Sequence, residues 1–457
     1  MPRKNEIDML HGPLLAKIII FAMPLAASSI LQQLFNSVDV AVVGRFDSSY
    51  ALAAVGSNGP VISLLINLFL GISMGANVVI SNHIGQKDNN LTKYAIRTTA
   101  ATALFSGLAL AVIGVLAARP ILTIMGTPTE VLDMAVRYLR IYFIGTPFLL
   151  IYNFGSAILR SKGDTSRPLY ILIVAGIINT VLNLILVIVF HMGVAGVAIA
   201  TDIANVFSAA SIIFLLIREE EPYRLNLRSI GINKNELKSM LMIGVPAGLQ
   251  GMVFSFSNVL LQTTINSHGA DAVAGSAAAV NFEYYCYFII SAFNGAAITF
   301  IAQNYGAGNY NRVKRIYWLC LGLSTLLSAA SAQLFIWQKT FFVSLFTTDA
   351  SVAEYAYTRM LIVLSWQFIA CSYEISASAM RGMGKSMLPT LLTIVGTCLL
   401  RVVWVFAVCP VWTSYQTIMI VYPITWITTG IMVFTAFHIT ARKKLAGSII
   451  FNKKRQQ

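Results

Sequence analysis

Charged residues are scarce in this sequence. Asp, Glu, Lys and Arg make up only 11% of its 457 residues, whereas 57% of the residues are hydrophobic. A soluble protein of this length needs a larger polar fraction, because its apolar core must be enclosed by a wettable surface. The composition therefore excludes a soluble globular protein and indicates a protein of the lipid bilayer.

Cysteine and histidine are also rare. The five cysteines lie in or beside apolar segments of the second half without CxxC spacing, so neither a disulfide framework nor a zinc site is predicted, and they are interpreted as small buried hydrophobes. The five histidines show no spacing of a metal site or a catalytic dyad. No cofactor is expected beyond a coupling ion.

The sequence lacks the motifs of intramembrane enzymes and channels. It contains no HExxH, no Gly-x-Ser-x-Gly, no paired intramembrane Asp motif and no repeated filter-like loop. Its first dozen residues, MPRKNEIDMLHG, contain no apolar core followed by a small-residue cleavage site. The first hydrophobic segment is therefore predicted to be a retained span, and no catalytic activity is expected.

Long apolar runs are abundant, and about 20 such residues suffice to cross a bilayer as a helix. We predict an all-α integral membrane protein with twelve transmembrane helices, organised as an N-terminal six-helix lobe (1–217), a linker (218–235), a C-terminal six-helix lobe (236–441) and a basic tail (442–457). The predicted spans are 14–42, 52–82, 94–118, 132–157, 168–190, 194–217, 238–266, 275–303, 315–338, 352–378, 387–410 and 416–440.

The positive charges predict the orientation. The net charge is +14, and most of the 32 Lys and Arg residues fall at alternate span ends, in the linker and in the tail. Lys and Arg in short loops are retained on the cytoplasmic side, so both termini are predicted to be cytoplasmic in a multi-pass protein of the plasma (inner) membrane. Because the cations are not gathered on one soluble face, no nucleic-acid partner is expected.

The chain contains an internal repeat. The string LRSKGDTSRP at 159–168 returns as MRGMGKSMLP at 380–389, which keeps the pairs Arg160/Arg381, Gly163/Gly384 and Pro168/Pro389 at an offset of 221 residues. Duplicated hydrophobic units are a common way of building transporters. The repeat predicts a doubled scaffold, and comparing its two copies shows which polar residues the scaffold does not need.

Asp39 ends a polar stripe on the first predicted span. Gln32, Asn36 and Asp39 recur at helical spacing and share one face, which we expect to face a bundle interior or water because a charge in lipid is costly. Asn36 corresponds to Asn258 in the second copy, whereas Asp39 corresponds to Leu261. The alternative is that Asp39 lies near a helix end and is simply solvated.

The fifth and sixth predicted spans carry further polar groups. Asn179 and Asn183 share a face, and Thr201 and Asp202 lie in the next span. Together with Asp39 they make an oxygen-rich set suited to Na⁺ or to a proton held on the acid. The asparagines can instead hold helices together in lipid. Asp202 is either a second acid in the same pocket or a partner of a nearby span.

Two acids of the second half, Glu283 and Glu374, have aromatic residues close to them in the sequence. A carboxylate beside aromatic rings is suited to a bulky organic cation, through charge pairing and cation–π attraction. A buried ion pair with Arg401 is the alternative, and both interpretations hold if a substrate competes for the acid. The candidate substrate-binding residues are therefore Gln32, Asn36, Asn258, Glu283, Tyr284, Trp366, Tyr373, Glu374 and Arg401, with Trp366, Tyr373 and Glu374 predicted to share a helical face.

The chain resembles the multidrug and toxic compound extrusion (MATE) family over nearly its full length. The resemblance rests on Pro24 with the run NSVDVAVVGR, on NHIGQKDNNLTK and its echo QNYGAGNYNRVK, and on the two copies of the repeat string. It implies two six-helix lobes related by a pseudo-twofold axis along the membrane normal. It also implies antiport, in which H⁺ or Na⁺ enters as an organic, often cationic, compound leaves.

The resemblance also suggests roles for individual residues. Asp39 matches the family's acid in the first helix, and Asn179 and Thr201 match polar residues around it. Asn183 falls where one branch of the family has aspartate, so a second carboxylate is present only if Asp202 replaces it. Asp39, Asn179, Asn183 and Thr201 would be the ligands if the ion is Na⁺. The seventh helix lacks the acid of one family branch, so substrate recognition is preferred for Glu283 and Glu374.

A flippase for lipid-linked substrates of the same superfamily is the rival function. A flippase should line its cavity with cations for a pyrophosphate headgroup, whereas here the deep acids outnumber Arg401, the deep cation. Because the duplication lets one chain enclose a cavity, the protein is expected to function as a monomer, with the lipid bilayer and small organic substrates as its partners.

Overall fold

The structure is a computed structural model that describes residues 6–455, and for Ser49, Leu52 and residues 444–455 it describes the backbone alone. These residues form helices and connecting loops, without a strand in the described range. The α-helices are α1 (Leu14–Phe46), α2 (Ser49–Gln86), α3 (Asn89–Ile124), α4 (Thr129–Ile144), α5 (Thr146–Ser161), α6 (Ser166–Leu184), α7 (Gly193–Ile217), α8 (Lys234–Asn266), α9 (Ala270–Gly306), α10 (Tyr310–Trp337), α11 (Lys339–Ser344), α12 (Ala350–Val363), α13 (Ala370–Gly382), α14 (Met387–Thr393), α15 (Leu400–Val403) and α16 (Tyr415–Arg455).

The helices confirm the predicted fold class. Within the described residues, eleven helical segments are long and apolar enough to cross a membrane, and the pair α4 and α5 makes a twelfth that bends by 46°. The bend falls at Gly145, just before Pro147 at the start of α5. Proline lacks the N–H that would continue the hydrogen-bond ladder, so the fourth predicted span is broken near its middle.

The described residues fall into two compact units. Residues 6–11 and Met23–Leu249 form the first unit, and Gly12–Ala22 with residues 250–455 form the second. The lobe boundaries predicted from sequence remain predictions. Part of the second unit's core is an aromatic and aliphatic cluster built around Phe282 and Met360.

The internal repeat extends to local conformation. Gly163 and Gly384, which correspond in the two copies, both have positive φ values, 101° and 75°. A side chain with a Cβ rarely adopts this region, so glycine is required at both turns. Each turn is followed by a helix that passes into a π-helical segment, Ile185–Val189 after α6 and Ile394–Leu399 after α14.

Two predicted spans of the second half are not regular α-helices. A 3₁₀ segment, Leu364–Ile369, separates α12 from α13, and α15 lies between two π segments, Ile394–Leu399 and Trp404–Val408. Such segments interrupt the i−4 hydrogen-bond ladder and are frequent at functional sites. They also rotate the residues that follow, so the helical periodicity assumed for the sequence fails across them.

Helices α2 and α8 approach closely through glycines of the first unit. A Cβ on Gly71 would lie 2.3 Å from the backbone nitrogen of Gly248, and a Cβ on Gly75 would lie 2.2 Å from the carbonyl oxygen of Met240. Small residues four apart let two helix backbones touch, which is a main source of helix association in lipid. This crossing therefore depends on the absence of side chains.

A buried ionic cluster ties the described N-terminal segment to the loop after α5. Lys162 Nζ lies 2.6 Å from both Glu6 Oε1 and Glu219 Oε2, and Arg167 Nη1 lies 2.6 Å from Glu219 Oε1. Ile7 N–H donates to the Gly163 carbonyl at 3.3 Å. Burial raises the pKa of the Glu219 carboxyl, but the hydrogen bonds and charges of Lys162 and Arg167 outweigh it and hold that pKa below its ordinary value.

Candidate cation-coupling and substrate sites

Asp39 is brought to α6 by a close helix contact. A Cβ on Gly176 would lie 1.8 Å from the ring of Phe35, so glycine is what allows that ring of α1 to lie against α6. One turn after Phe35, the Asp39 carboxylate accepts a hydrogen bond from the side-chain amide of Asn183. The interaction joins residues 144 apart in sequence. The partnership follows from the packing of α1 against α6.

The other residues predicted to lie near Asp39 also contact one another. Asn183 Nδ2 lies 3.3 Å from Asn179 Oδ1, and Asn179 Nδ2 donates to Thr201 Oγ1 at 3.2 Å. Asn179 and Thr201 also interact with the Asp39 carboxylate. Asn183 Oδ1 is buried and has no hydrogen-bond partner among the described residues. We call Asp39, Asn179, Asn183 and Thr201 the Asp39 cluster.

The partners of Asp39 in this cluster are uncharged. Within the part of the chain that the structure describes, no Lys, Arg or His lies within ion-pair distance of its carboxylate. A charged carboxylate inside a membrane span is costly unless a cation or a proton compensates its charge. The oxygens of the cluster include hard ligands of the kind that Na⁺ takes, and the carboxylate alone can hold a proton. The residues present therefore fit either ion.

Asp202 lies apart from the hydrogen bonds of the Asp39 cluster. Its side chain packs on Gly145, where a Cβ would lie 1.8 Å from Asp202 Oδ1, and this oxygen has no hydrogen-bond partner among the described residues. The rings of Tyr138 and Tyr142 stack with centroids 6.2 Å apart and lie in electrostatic range of both Asp39 and Asp202. The tyrosines thus connect two acids that make no direct contact in the structure.

Gln32 and Asn36 lie on α1 before Asp39, and both are exposed in the structure. Sequence spacing placed them on the face of Asp39, whose own side chain is only half-buried. The structure leaves the amides of Gln32 and Asn36 accessible rather than packed between helices of the first unit. Their role in substrate binding remains a prediction.

In the second unit, Glu283 does not pair with Arg401. Its carboxylate receives two hydrogen bonds from Arg359, at 2.5 and 3.0 Å, and Arg359 also donates to the Tyr422 hydroxyl at 3.3 Å. Gln367 donates to the backbone carbonyl of Glu283 at 2.8 Å. The alternative of an ion pair with Arg401 is therefore wrong for Glu283, because α12 rather than α15 packs a guanidinium against it.

Glu374 is buried and is bound by groups other than Arg401. Asn294 Nδ2 donates to Glu374 Oε2 at 2.9 Å, and Tyr287 lies close enough to interact with the carboxylate. Arg381 lies close enough to interact electrostatically with it. The alternative of an ion pair with Arg401 is therefore wrong for Glu374 as well.

The aromatic candidates separate into buried and exposed residues. Tyr373 is buried beside Glu374, whereas Trp366 is 45% exposed and lies in the 3₁₀ segment. The predicted common face of Trp366, Tyr373 and Glu374 assumed a continuous α-helix, and the 3₁₀ segment breaks that periodicity. Tyr284 is 46% exposed and stacks on Phe288 with centroids 6.3 Å apart.

Arg401 and Asn258, two of the candidate substrate-binding residues, contact each other in the structure. Arg401 Nη1 donates to Asn258 Oδ1 at 2.8 Å, and its guanidinium lies over the rings of Tyr422 and Phe254, at 4.7 and 5.9 Å from their centroids. Asn258 itself is exposed. The structure thus connects two candidate residues that lie 143 apart in sequence.

Several residues in contact with these sites were missed from sequence. They carry no periodic signal, since a tyrosine or asparagine inside an apolar span is common, although Arg359 was detectable as a charge within a predicted span. The missed residues are Tyr138, Tyr142, Gly145, Asn294, Arg359, Gln367 and Tyr422.

A duplicated all-helical protein with ionisable groups held inside its spans has the architecture of a secondary transporter. The MatE family model matches residues 24–185 and 246–406, which are the two copies of the repeat. The chain belongs to this family, the MATE transporters, and is a multi-pass membrane protein.

Known proteins from several bacteria are similar to this chain. The probable multidrug resistance protein YoeA of Bacillus subtilis (strain 168) is 28% identical over 82% of this chain and 82% of the relative. The probable multidrug resistance protein NorM of Thermotoga maritima is 26% identical over 86% and 85%. The multidrug export protein MepA of Staphylococcus aureus (strain NCTC 8325 / PS 47) is 23% identical over 76% of each chain.

Solved structures share the fold. A crystal structure of a MATE protein in the bent conformation has a TM-score of 0.88 at 21% identity and covers 96% of this chain and 98% of that chain. A MATE family transporter in an outward-facing conformation has the same TM-score, identity and coverage. At this identity the likeness shows the fold and assigns no substrate.

Proposed function

We propose that this protein is an antiporter that exports organic, often cationic, compounds by alternating access while H⁺ or Na⁺ enters. The observation that carries the proposal is the Asp39 carboxylate, which lies inside a span and is held by the amide of Asn183 without a basic partner in the described chain. The relatives named as multidrug proteins support export of organic compounds.

A carboxylate without a basic partner couples ion binding to conformation. A bare charge inside a span costs a few kcal/mol on insertion scales, and a bound cation removes that cost. The Asp39 cluster offers Na⁺ the carboxylate, the unpartnered Asn183 Oδ1 and the Asn179 and Thr201 oxygens. A proton needs only the carboxylate. Either ion would stabilise the state in which the cluster is closed around it.

The membrane potential is sufficient to drive export of a neutral compound. One charge moving across a potential of about 100 mV releases about 2.3 kcal/mol, which supports roughly a fortyfold gradient of a neutral substrate before the ion's own gradient is counted. Entry of one H⁺ or Na⁺ per transport cycle therefore drives export of a neutral compound.

We assign substrate recognition to the second unit, and we separately propose that Gln32 and Asn36 of α1 bind substrate within the first unit. Glu283 is already occupied by Arg359, so Glu374, among Tyr287, Tyr373 and Asn294, is the better acid for an organic cation. Asp202 is proposed as an accessory acid to Asp39. The protein is proposed to act as a monomer in the plasma membrane with both termini cytoplasmic.

Transport in proteoliposomes tests the proposal. Purified protein is reconstituted, and movement of a fluorescent organic cation is followed while pH and Na⁺ gradients are imposed separately. We expect one of the gradients to drive uptake, and we expect Asp39→Asn to reduce driven uptake to the level of empty liposomes.

The matched control is Asp133→Asn, which removes an exposed carboxylate that pairs with Arg119 and should leave transport unchanged. Full ion-driven transport by Asp39→Asn, at the same protein density, would refute the assignment of Asp39. Absence of any driven transport by the unmodified protein would refute antiport of that cation.

A further inference from the structure

Among its described residues the second unit contains three deeply placed arginines, so the expectation from sequence that Arg401 is the deep cation is wrong. The other two, Arg359 and Arg381, lie near a carboxylate. Arg359 pairs with Glu283 at 2.5 Å. Arg381 donates to Gln250 Oε1 at 2.6 Å and lies in electrostatic range of Glu374. In the described part of this unit, Arg401 has no carboxylate within ion-pair distance. Its positive charge is therefore not compensated by a neighbouring acid.

Arg401 is also incompletely hydrogen-bonded. Arg401 is only 3% exposed, and its Nε is buried and has no hydrogen-bond partner among the described residues. Its acceptor is the neutral amide oxygen of Asn258, at 2.8 Å. Guanidinium groups bind planar anions through two parallel N–H bonds, and a charged acceptor binds more strongly than a neutral one. The Nε N–H is thus a donor that lacks an acceptor among the described residues.

The backbone around Arg401 is irregular in a way that is frequent at functional sites. The four residues of α15 that carry Arg401 lie between the π segments Ile394–Leu399 and Trp404–Val408. Its hydrogen-bonded partner Asn258 is exposed, so a bound molecule can reach the guanidinium by displacing one amide. The rings of Phe254 and Tyr422 flank the same guanidinium.

We propose that Arg401 binds the carboxylate of a transported organic compound, and that Phe254 and Tyr422 contact the aromatic or apolar body next to that carboxylate. The inference rests on the proposed transport function and defines its substrate class as organic compounds bearing a carboxylate, including those that also carry a cationic group. A carboxylate fits better than a phosphate because a single uncompensated guanidinium offers one positive charge, and Arg359 and Arg381 face acids of their own.

Equilibrium binding to the purified full-length protein in detergent tests this proposal without requiring transport. The probes are a fluorescent rhodamine dye with a free carboxylate and its methyl ester, which keeps the same cationic ring system. Binding is followed by fluorescence anisotropy, and the measured quantity is the Kd of the ester divided by the Kd of the acid. This ratio removes contributions from detergent and from the shared ring system.

We expect the unmodified protein to prefer the acid by at least about tenfold, since a charge-assisted bidentate bond exists only for the carboxylate. Arg401→Gln should lower the ratio to about one or below while the ester still binds. The glutamine side chain keeps a neutral donor but loses the charge and the two parallel N–H bonds of the guanidinium. Arg401→Lys keeps the charge without the fork and should give an intermediate ratio. Arg315→Gln, which removes an exposed arginine of α10 in the same unit, should leave the ratio unchanged.

The outcomes separate the possible failures. If the unmodified protein binds acid and ester equally, or if Arg401→Gln weakens both dyes equally, Arg401 has only a structural role and the proposal is overturned. The ratio for the unmodified protein and for Arg401→Lys decides the matter even if Arg401→Gln does not fold. If the ratio behaves as expected but no ion gradient drives either dye in liposomes, the anion site stands and the proposed antiport fails.

Discussion

Arg359 holds Glu283 in a two-pronged ion pair, with Nε donating to Oε1 at 2.5 Å and Nη2 to Oε2 at 3.0 Å. The side chains are 4% and 13% exposed, so water screens their attraction little. The pair joins α12 to α9 across 76 residues of sequence. Glu283 is thereby committed to a contact between helices, which leaves Glu374 as the acid available to a substrate.

Breaking this pair on one side should destabilise the protein more than removing both charges. Glu283→Gln leaves the Arg359 guanidinium buried without its partner, which we expect to cost about 3 to 5 kcal/mol, whereas the double substitution to glutamine should recover a large part of that loss. Thermal unfolding in detergent of the unmodified protein, Glu283→Gln, Arg359→Gln and the double variant measures the coupling energy between the two side chains. Equal losses in the single and the double variant would show that the pair contributes nothing specific.

Thr201→Val should weaken ion coupling without harming the fold. Valine keeps the shape of threonine but removes the oxygen that accepts from Asn179 at 3.2 Å. Where Na⁺ is the coupling ion, the Na⁺ concentration needed for half-maximal transport should rise about five- to tenfold, the equivalent of one net hydrogen bond, with little change in the maximal rate.

Thr397→Val is the control for this measurement. It removes a hydroxyl that pairs with Thr429 at 2.8 Å in the second unit and should not change the cation dependence. Equal shifts in the two valine variants would contradict a specific role for Thr201.

Gly75→Ala should disrupt the crossing of α2 and α8. The added methyl would lie 2.2 Å from the Met240 carbonyl oxygen, so the two backbones must move apart. Overpacking of this kind costs about 1 to 3 kcal/mol. The control is Gly56→Ala in the same helix, where no atom lies within 4 Å of the new Cβ and the better helix propensity of alanine should stabilise by up to about 1 kcal/mol. A melting temperature for Gly75→Ala at or above that of Gly56→Ala would contradict the packing argument.

The ionic cluster around Lys162 should make stability depend on acid pH. Because the folded pKa of Glu219 lies below its ordinary value, the carboxylate contributes stability above the unfolded pKa, and this contribution is lost as the pH falls through the folded pKa. Melting temperatures measured from about pH 7 down to about pH 3 should therefore fall less steeply for Glu219→Gln than for the unmodified protein.

Glu354→Gln, which removes an exposed carboxylate of α12, serves as the control and should follow the unmodified protein. Parallel curves for Glu219→Gln and the unmodified protein would show that the cluster does not contribute to acid sensitivity.

The spans and the polar stripe of α1 were predictable because both follow from local rules. An apolar run in lipid becomes a helix, and residues three or four apart share a face, so Asp39, Asn179 and Asn183 were found from spacing and from comparison of the two repeat copies. Thr201 was found as a polar residue of the next predicted span. The structure places these four side chains in one hydrogen-bonded cluster. Their predicted role in ion coupling stays a prediction.

Partnerships between distant residues were not predictable. Glu283 was weighed against Arg401, whereas α12 supplies Arg359. Asp202 was weighed both as an acid of the Asp39 pocket and as a partner of a nearby span, and only the structure shows that it packs on Gly145. Trp366 was predicted to share a face with Glu374, but the 3₁₀ segment Leu364–Ile369 changes the rotation between them. Each error arose where a helix is irregular or where two helices compete for one side chain.

The sequence by itself determined the class of this protein, a doubled set of apolar helices, because lipid satisfies no backbone hydrogen bond. It also showed a few acids and amides within these helices, which are costly to expose to lipid. Only the tertiary structure decided which of those charges are compensated. Packing places Arg359 on Glu283 and leaves Arg401 with the neutral Asn258. A charge is neutralised by its neighbours in space, and for these residues the neighbours come from helices far apart in the chain.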